Sequence, residues 1–112
     1  MELTIDRRER VLEVRVKGRL DATTVDMFQE ALHNAVSERD RAMIMDLGEV
    51  SFINSTGLRA FLMTVKLLRL QSATLQLCAL TDSVHEVFRI SSFDTIIPIH
   101  ESMEAARASL SG

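Results

Sequence analysis

The chain has 112 residues, of which 46% are hydrophobic and 26% are charged, and its formal net charge is −3. This balance is typical of a folded protein, so we expect one domain over residues 1–112. The acidic charge gives no support for nucleic-acid binding, the apolar runs are too short to cross a bilayer, and the single cysteine, Cys78, excludes an internal disulfide. We therefore expect a cytoplasmic protein that binds neither nucleic acid nor membrane.

The first third of the sequence predicts a β-hairpin followed by a helix. Apolar and polar residues alternate over residues 2–8 and again over residues 11–17, on either side of a short polar break from Arg7 to Arg10. Gly18 is expected to end the second strand. A helix follows, which Asp21, Thr23 or Thr24 can cap. Its core stripe consists of Val25, Phe28, Leu32 and Val36.

The remaining sequence predicts strands that alternate with helices. Strands are expected at residues 42–47 and 75–79, with a short edge strand at residues 95–99. Helices are expected from Ser55 to about Gln71, from a cap at Asp82, and from Ser102 onward. Such alternation implies an α/β fold: a mixed, mostly parallel sheet of four to five strands, with an N-terminal antiparallel hairpin and about four helices.

The segment Asn54-Ser55-Thr56-Gly57 is the strongest indication of function. Short polar side chains before an apolar helical pattern place Ser55 at or next to a helix N-terminus. The free N–H groups and the helix dipole favour an anion at such a position. The residues alone leave two interpretations open: a helix cap with no further role, or a modified serine that switches a protein–protein interface.

An enzyme is the least favoured interpretation. A nucleophile elbow requires a glycine two residues before the serine, where this chain has Ile53. The histidines, His33, His85 and His100, have no partner at a diagnostic spacing, and neither a metal-ligand cluster nor a phosphate-binding loop is present in the sequence. We therefore predict no catalytic, cofactor-binding or metal-binding residue, and a hydrolase that uses Ser55 remains a third alternative.

A second apolar stripe lies beside the core stripe of the helix that Ser55 opens. Met63, Leu67 and Leu70 recur at helical spacing, with Arg59 on the same side. Either the stripe widens the core face and the last helix covers it through Met103 and Leu110, or the stripe is an exposed partner-binding ridge. The pattern alone does not decide between them.

Residues 47–58 resemble the signature of the STAS domains, and specifically that of the bacterial anti-sigma factor antagonists. In that family a strand ends in Asp-Leu, and after a short loop Asp-Ser-Ser/Thr-Gly-Leu opens a helix. Residues 18–22 are similar to the Gly-x-Leu-Asp turn of the family, and residues 77–88 resemble its later strand and helix. The likeness covers nearly the whole chain. Asn54 stands where the family usually has Asp, which removes one negative charge beside Ser55 but keeps the capping ability.

The resemblance implies a mechanism called partner switching. A serine-kinase anti-sigma factor with a histidine-kinase-like ATPase fold would phosphorylate Ser55, and a metal-dependent serine phosphatase would reverse this step. The unmodified chain would bind the kinase and release its other client. ATP and Mg²⁺ would belong to the kinase, so the domain itself would need no cofactor. We expect the chain to be a monomer when alone. The predicted partner-binding residues are Asp21, Asn54, Thr56, Gly57, Arg59, Met63 and Leu67. The main alternative is a non-switching STAS subunit of a larger transport or stress-signalling complex.

Overall fold

Alternating strands and helices form a five-stranded mixed sheet in the computed structural model, which describes residues 1–111. The strands are β1 (Glu2–Arg8), β2 (Val11–Leu20), β3 (Ala42–Ile53), β4 (Thr74–Cys78) and β5 (Ile99–His100). The α-helices are α1 (Val25–Ala35), α2 (Ser55–Arg69), α3 (Asp82–Ile90) and α4 (Met103–Ser111). The strands lie in sequence order, and β1 is antiparallel to β2 while the later pairs are parallel. The predicted fold class is confirmed.

Helices α1, α2 and α3 pack on one face of the sheet. Their apolar stripes share a single buried cluster with the inward side chains of β2, β3 and β4. Three phenylalanines link the helices, because the ring centroids of Phe28 and Phe61 are 5.7 Å apart and those of Phe61 and Phe88 are 5.3 Å apart. This packing fixes α2, and therefore Ser55 at its start, against the sheet.

Helix α4 covers the opposite face of the sheet. Met103 and Ala106 pack there on a smaller buried cluster that includes Ile44 and Cys78. The same helix buries Glu13, whose carboxylate accepts hydrogen bonds from the Arg107 guanidinium at 2.6 and 2.7 Å. Since α4 and α2 lie on opposite faces, the last helix does not cover the second stripe of α2, and that interpretation is wrong.

The hairpin and the third strand extend further than predicted. The hairpin loop contains only Glu9 and Arg10, and β2 continues past Gly18, which tolerates its φ of +119° because it has no side chain. Likewise β3 does not end at residue 47 but runs to Ile53, and its second half pairs with the end of β2. Register shifts interrupt this pairing, so a strict alternation of apolar and polar residues is lost there.

Other element boundaries differ by a few residues. The side chain of Thr81, not that of Asp82, caps α3, and α2 ends at Arg69. The predicted strand at residues 95–99 is mostly wrong: a 3₁₀ turn occupies Phe93–Thr95, and β5 begins only after Pro98. Proline has no N–H to donate, and its carbonyl instead accepts a hydrogen bond from Leu77 at 2.9 Å. Among the described residues, no helix is long and apolar enough to cross a membrane.

Candidate modification and partner-binding site

Ser55 is the first residue of α2, and its side chain is exposed. The preceding residue, Asn54, has an extended backbone, and its side-chain oxygen accepts a hydrogen bond from the Gly57 N–H at 3.1 Å. The cap predicted from the sequence is therefore present, and Asn54 supplies it. Because the cap does not use Ser55, the hydroxyl of Ser55 is available for chemistry at the positive end of the helix dipole.

Gly57 allows the start of α2 to press directly against the end of β2. A Cβ atom at this position would lie 2.7 Å from the carbonyl oxygen of Leu20 and 2.9 Å from the side chain of Ile53. The same Leu20 carbonyl accepts a hydrogen bond from the Asn54 N–H at 3.2 Å. Gly57 is buried, so it shapes the site rather than offering a side chain to a partner.

The close approach at Leu20 brings a second turn next to Ser55. Asp21 follows Leu20 directly, and its carboxylate accepts hydrogen bonds from the Thr23 hydroxyl at 2.6 Å and from the Thr23 N–H at 2.9 Å. These bonds, together with Arg19 at 3.5 Å, hold the pKa of Asp21 below its usual range. The carboxylate is therefore fixed and charged at neutral pH. The structure thus brings together two of the segments that carried the family resemblance.

Arg19 and Phe52 form an exposed contact that the sequence analysis missed. They lie opposite each other in the pairing of β2 with β3, and the guanidinium carbon of Arg19 is 4.2 Å from the centroid of the Phe52 ring. Phe52 is 37% exposed, so it remains partly accessible. Aromatic rings and arginines are enriched at binding surfaces, and Phe52 stands three residues before Ser55. The only sequence signal was that each residue lies within a family-like segment.

The second apolar stripe of α2 is an exposed ridge. Met63 is 49% exposed and Leu70 is 86% exposed, while Leu67 is half-buried. Helical geometry of about 3.6 residues per turn places Met63 and Leu70, together with the exposed Arg59, on the same face as Ser55. Of the two interpretations left open by the sequence, the exposed one is correct in geometry.

A groove of about 400 Å³ runs between α1 and α2 beside this ridge. Met63 and Leu67 line one wall, and Glu30 and His33 of α1 line the other. The mixture of apolar and polar walls is typical of a surface that binds a protein partner rather than of an enclosed substrate cavity.

The three histidines and the cysteine lie on different elements of the described structure. Within residues 1–111, no group of three or more His, Cys, Asp or Glu side chains could hold a metal ion. His33 lines the α1–α2 groove, His85 lies on an exposed position of α3, and His100 lies 3.5 Å from Ser109 on the α4 side. The thiol of Cys78 is buried, and burial raises its pKa to about 12.

Known proteins resemble this chain along most of its length. The family model described as STAS domain matches residues 2–106. A protein named as anti-sigma factor antagonist BtrV, from Bordetella bronchiseptica, is 36% identical over 108 residues, which cover 96% of this chain and 93% of that protein. The crystal structure of an anti-sigma factor antagonist from Mycobacterium paratuberculosis has a TM-score of 0.89 at 20% identity, covering 99% of this chain and 94% of the other. The phosphorylated form of the Bacillus cell fate determinant SpoIIAA has a TM-score of 0.74 at 17% identity, covering 97% and 99% of the two chains.

Proposed function

Because the chain belongs to the STAS domain family, we propose that it is an anti-sigma factor antagonist that is switched by phosphorylation of Ser55. In its unmodified form the protein binds a serine-kinase anti-sigma factor with a histidine-kinase-like ATPase fold, and the kinase then releases its client. One observation carries the proposal most directly: Ser55 is exposed at the first position of α2, while Asn54 alone makes the side-chain cap.

The chemistry belongs to the partners, and this chain is the substrate. The Ser55 hydroxyl oxygen attacks the γ-phosphorus of ATP bound to the kinase, its proton passes to a base of the kinase, and ADP leaves. A metal-dependent serine phosphatase later transfers the phosphoryl group to water and restores the hydroxyl. The domain itself is then a regulatory protein and not an enzyme.

Phosphorylation acts at the contact surface and not on the fold. A phosphoserine adds about −1.5 to −2 charges and considerable bulk. At the first position of α2 this charge is favourable, because the helix dipole and the free N–H groups stabilise an anion there. The fixed carboxylate of Asp21 lies on the neighbouring turn, so a partner that accommodates one negative charge meets a second after phosphorylation. Repulsion and bulk then weaken binding of the kinase.

The proposed partner-binding surface combines the two turns with the ridge of α2. Its members from the sequence analysis are Asp21, Asn54, Thr56, Arg59, Met63 and Leu67, and Gly57 contributes by shaping the turn. To these we add Arg19 and Phe52, because they form an exposed apolar and basic contact beside Ser55. We assign residues 1–112 to this one domain and place the protein in the cytoplasm, where the kinase and the phosphatase would also act.

Phosphate transfer in an extract of the source cells tests the proposal against its alternatives. The purified protein is incubated with extract and ATP, and its intact mass is measured. We expect the mass of one phosphoryl group to be added to the wild-type protein and not to Ser55→Ala. A non-switching STAS subunit would take up no phosphate on Ser55. A hydrolase would instead release a burst of product from an activated ester in the absence of extract.

A further inference from the structure

The outer edge of β1 is open. β1 is the first strand in the sheet order, and no other described element pairs with its outer side. It is seven residues long, ELTIDRR, without a proline, and its pairing with β2 has an unbroken register. Natural sheets usually protect a long edge with a proline, a bulge, a covering element or charged side chains, because an open edge pairs readily with another strand. Of these devices β1 has only the charges, and they are of both signs, so they can attract a second copy of the strand as well as repel it.

The backbone groups that point outward from β1 can be identified from the hairpin. The residues that flank its two-residue loop, Arg8 and Val11, form a hydrogen-bonded pair, so N–H and C=O of Arg8 point toward β2. The carbonyl of Arg10 points the other way, since it accepts from Arg41 next to β3 at 2.8 Å. The backbone N–H and C=O groups of successive residues point to opposite sides of a strand. Backbone groups that face β2 therefore belong to Glu2, Thr4, Asp6 and Arg8. Those that face solvent belong to Leu3, Ile5 and Arg7.

The side chains of β1 match a second copy of the same strand. In an antiparallel pair with its two-fold axis at Ile5, Ile5 lies opposite Ile5, and Leu3 lies opposite Arg7, so all outward backbone groups find partners. In this register Glu2 of each copy lies opposite Arg8 of the other. Both side chains are exposed, and Arg8 also lies 3.8 Å from the Glu13 carboxylate of its own chain. Opposite charges directly across a strand pair stabilise it. We propose that the protein forms a symmetric dimer through the outer edges of β1, which joins two sheets into one.

Other registers are less favourable, because they bring like charges together. An axis at Thr4 would place Glu2 opposite Asp6, an axis at Asp6 would place two aspartates opposite each other, and an axis at Arg7 would do the same with two arginines. An axis at Leu3 would leave Arg7 without a partner residue in the other strand. The axis at Ile5 also pairs its side chain, which is 39% exposed in the single chain, with its own copy. The proposal is independent of phosphorylation and replaces the expectation of a monomer.

The first test is amide hydrogen exchange of the full chain at low and high protein concentration. The dimer predicts that the amides of Leu3, Ile5 and Arg7 become protected as concentration rises toward about 1 mM, a range that detects weak association. The amides of Thr4 and Asp6 are internal controls, because their bonds to β2 exist in the monomer too. Equal exchange of Leu3, Ile5 and Arg7 at both concentrations would overturn the proposal.

The second test uses charge reversal and mixing. In Glu2→Arg the crossed pairs become Arg with Arg, and in Arg8→Glu they become Glu with Glu, so each variant alone should dimerise about tenfold more weakly or worse in sedimentation equilibrium at low salt. An equimolar mixture should recover wild-type association, because both crossed pairs are again of opposite charge. Association that is unaffected in the single variants, or is lost in the mixture, contradicts the proposed register.

Proline substitutions distinguish dimerisation through the outer edge of β1 from the stability of the folded chain. Ile5→Pro removes an N–H that points to solvent in the monomer, so the melting temperature should remain close to that of the wild type while dimerisation is lost. The matched control, Thr4→Pro, removes a hydrogen bond to β2 and should lower the melting temperature. A dimer that persists in Ile5→Pro would show that another surface is used, and the proposal would then be wrong.

Discussion

Asn54 closes the N-terminus of α2 through a hydrogen bond to the Gly57 N–H. Asn54→Ala removes this bond and should lower the free energy of unfolding by about 1 kcal/mol. Asn54→Asp should leave stability nearly unchanged, because Asp caps a helix about as well as Asn. Urea unfolding of the three proteins measures both effects. An Asn54→Ala variant as stable as the wild type would show that the cap contributes nothing.

Ser55 and Thr56 are adjacent hydroxyl side chains, and we assign the modification to Ser55. Ser55→Ala should abolish phosphate uptake and keep binding of the kinase, whereas Ser55→Asp should weaken binding by placing a charge in the contact surface. Thr56→Ala should still be phosphorylated. Phosphopeptide analysis after reaction with the kinase gives the result. If Thr56→Ala abolishes labelling while Ser55→Ala does not, the modified residue is Thr56.

At the scale of single elements, α2 presents two faces with different roles. Leu68 is fully buried, so Leu68→Ala should lower the free energy of unfolding by roughly 2–5 kcal/mol. Met63→Ala should leave stability nearly unchanged, because the side chain is 49% exposed, and should weaken partner binding instead. Thermal melts and binding titrations of both variants separate the two faces. A large loss of stability in Met63→Ala would show that the ridge belongs to the core.

Local signals in the sequence were sufficient to predict that Ser55 lies at the start of a helix. Capping residues directly before an apolar stripe predicted the start of α2, and the structure has Asn54 as the cap and Ser55 as the first helical residue. The length of β3 was missed, because its buried residues Val50 and Ile53 are three positions apart and bulges break the alternation. Period-two patterns cannot identify such a strand.

Contacts between distant parts of the chain could not be predicted from the sequence either. Glu13 alternates like a solvent-facing residue, and its pairing with Arg107 on the covering helix α4 explains why it is buried. Arg19 and Phe52 meet because β2 and β3 pair in one particular register. No sequence pattern around Arg19 or Phe52 predicts that the two side chains are in contact. A polar residue at a strand position shows its role only once its neighbours in space are known.

At the scale of the whole molecule, two ion pairs tie distant segments together and make stability depend on pH. A hydrogen bond from Arg107 holds the pKa of the buried Glu13 below its usual range. Arg7 lies 2.8 Å from Asp40 and likewise lowers the pKa of Asp40. Unfolded Asp and Glu titrate at about pH 4, so the unfolded chain takes up protons first on acidification. The stabilisation is therefore complete above that range and should be lost as pH falls through the lowered pKa values.

Urea unfolding between about pH 7 and pH 3 measures this loss. Glu13→Gln and Asp40→Asn should each flatten part of the pH dependence, because each removes one carboxyl whose pKa is lowered by an arginine. Asp21, whose pKa is also lowered, contributes a further part that remains in both variants. Stability that rises on acidification through this range would contradict the assignment of these ion pairs.

Co-purification from the source cells tests the central claim most directly. The wild-type protein, Ser55→Ala and Ser55→Asp are isolated under native conditions, and co-purified proteins and phosphopeptides are quantified by mass spectrometry. Trypsin yields the segment 42–59, in which Ser51, Ser55 and Thr56 are the possible acceptors, and fragmentation locates the phosphate among them. We predict phosphate on Ser55 of the wild type, and a serine kinase that co-purifies with Ser55→Ala in larger amount than with Ser55→Asp. A kinase retained equally by both variants, with no phosphate on Ser55, would contradict the account.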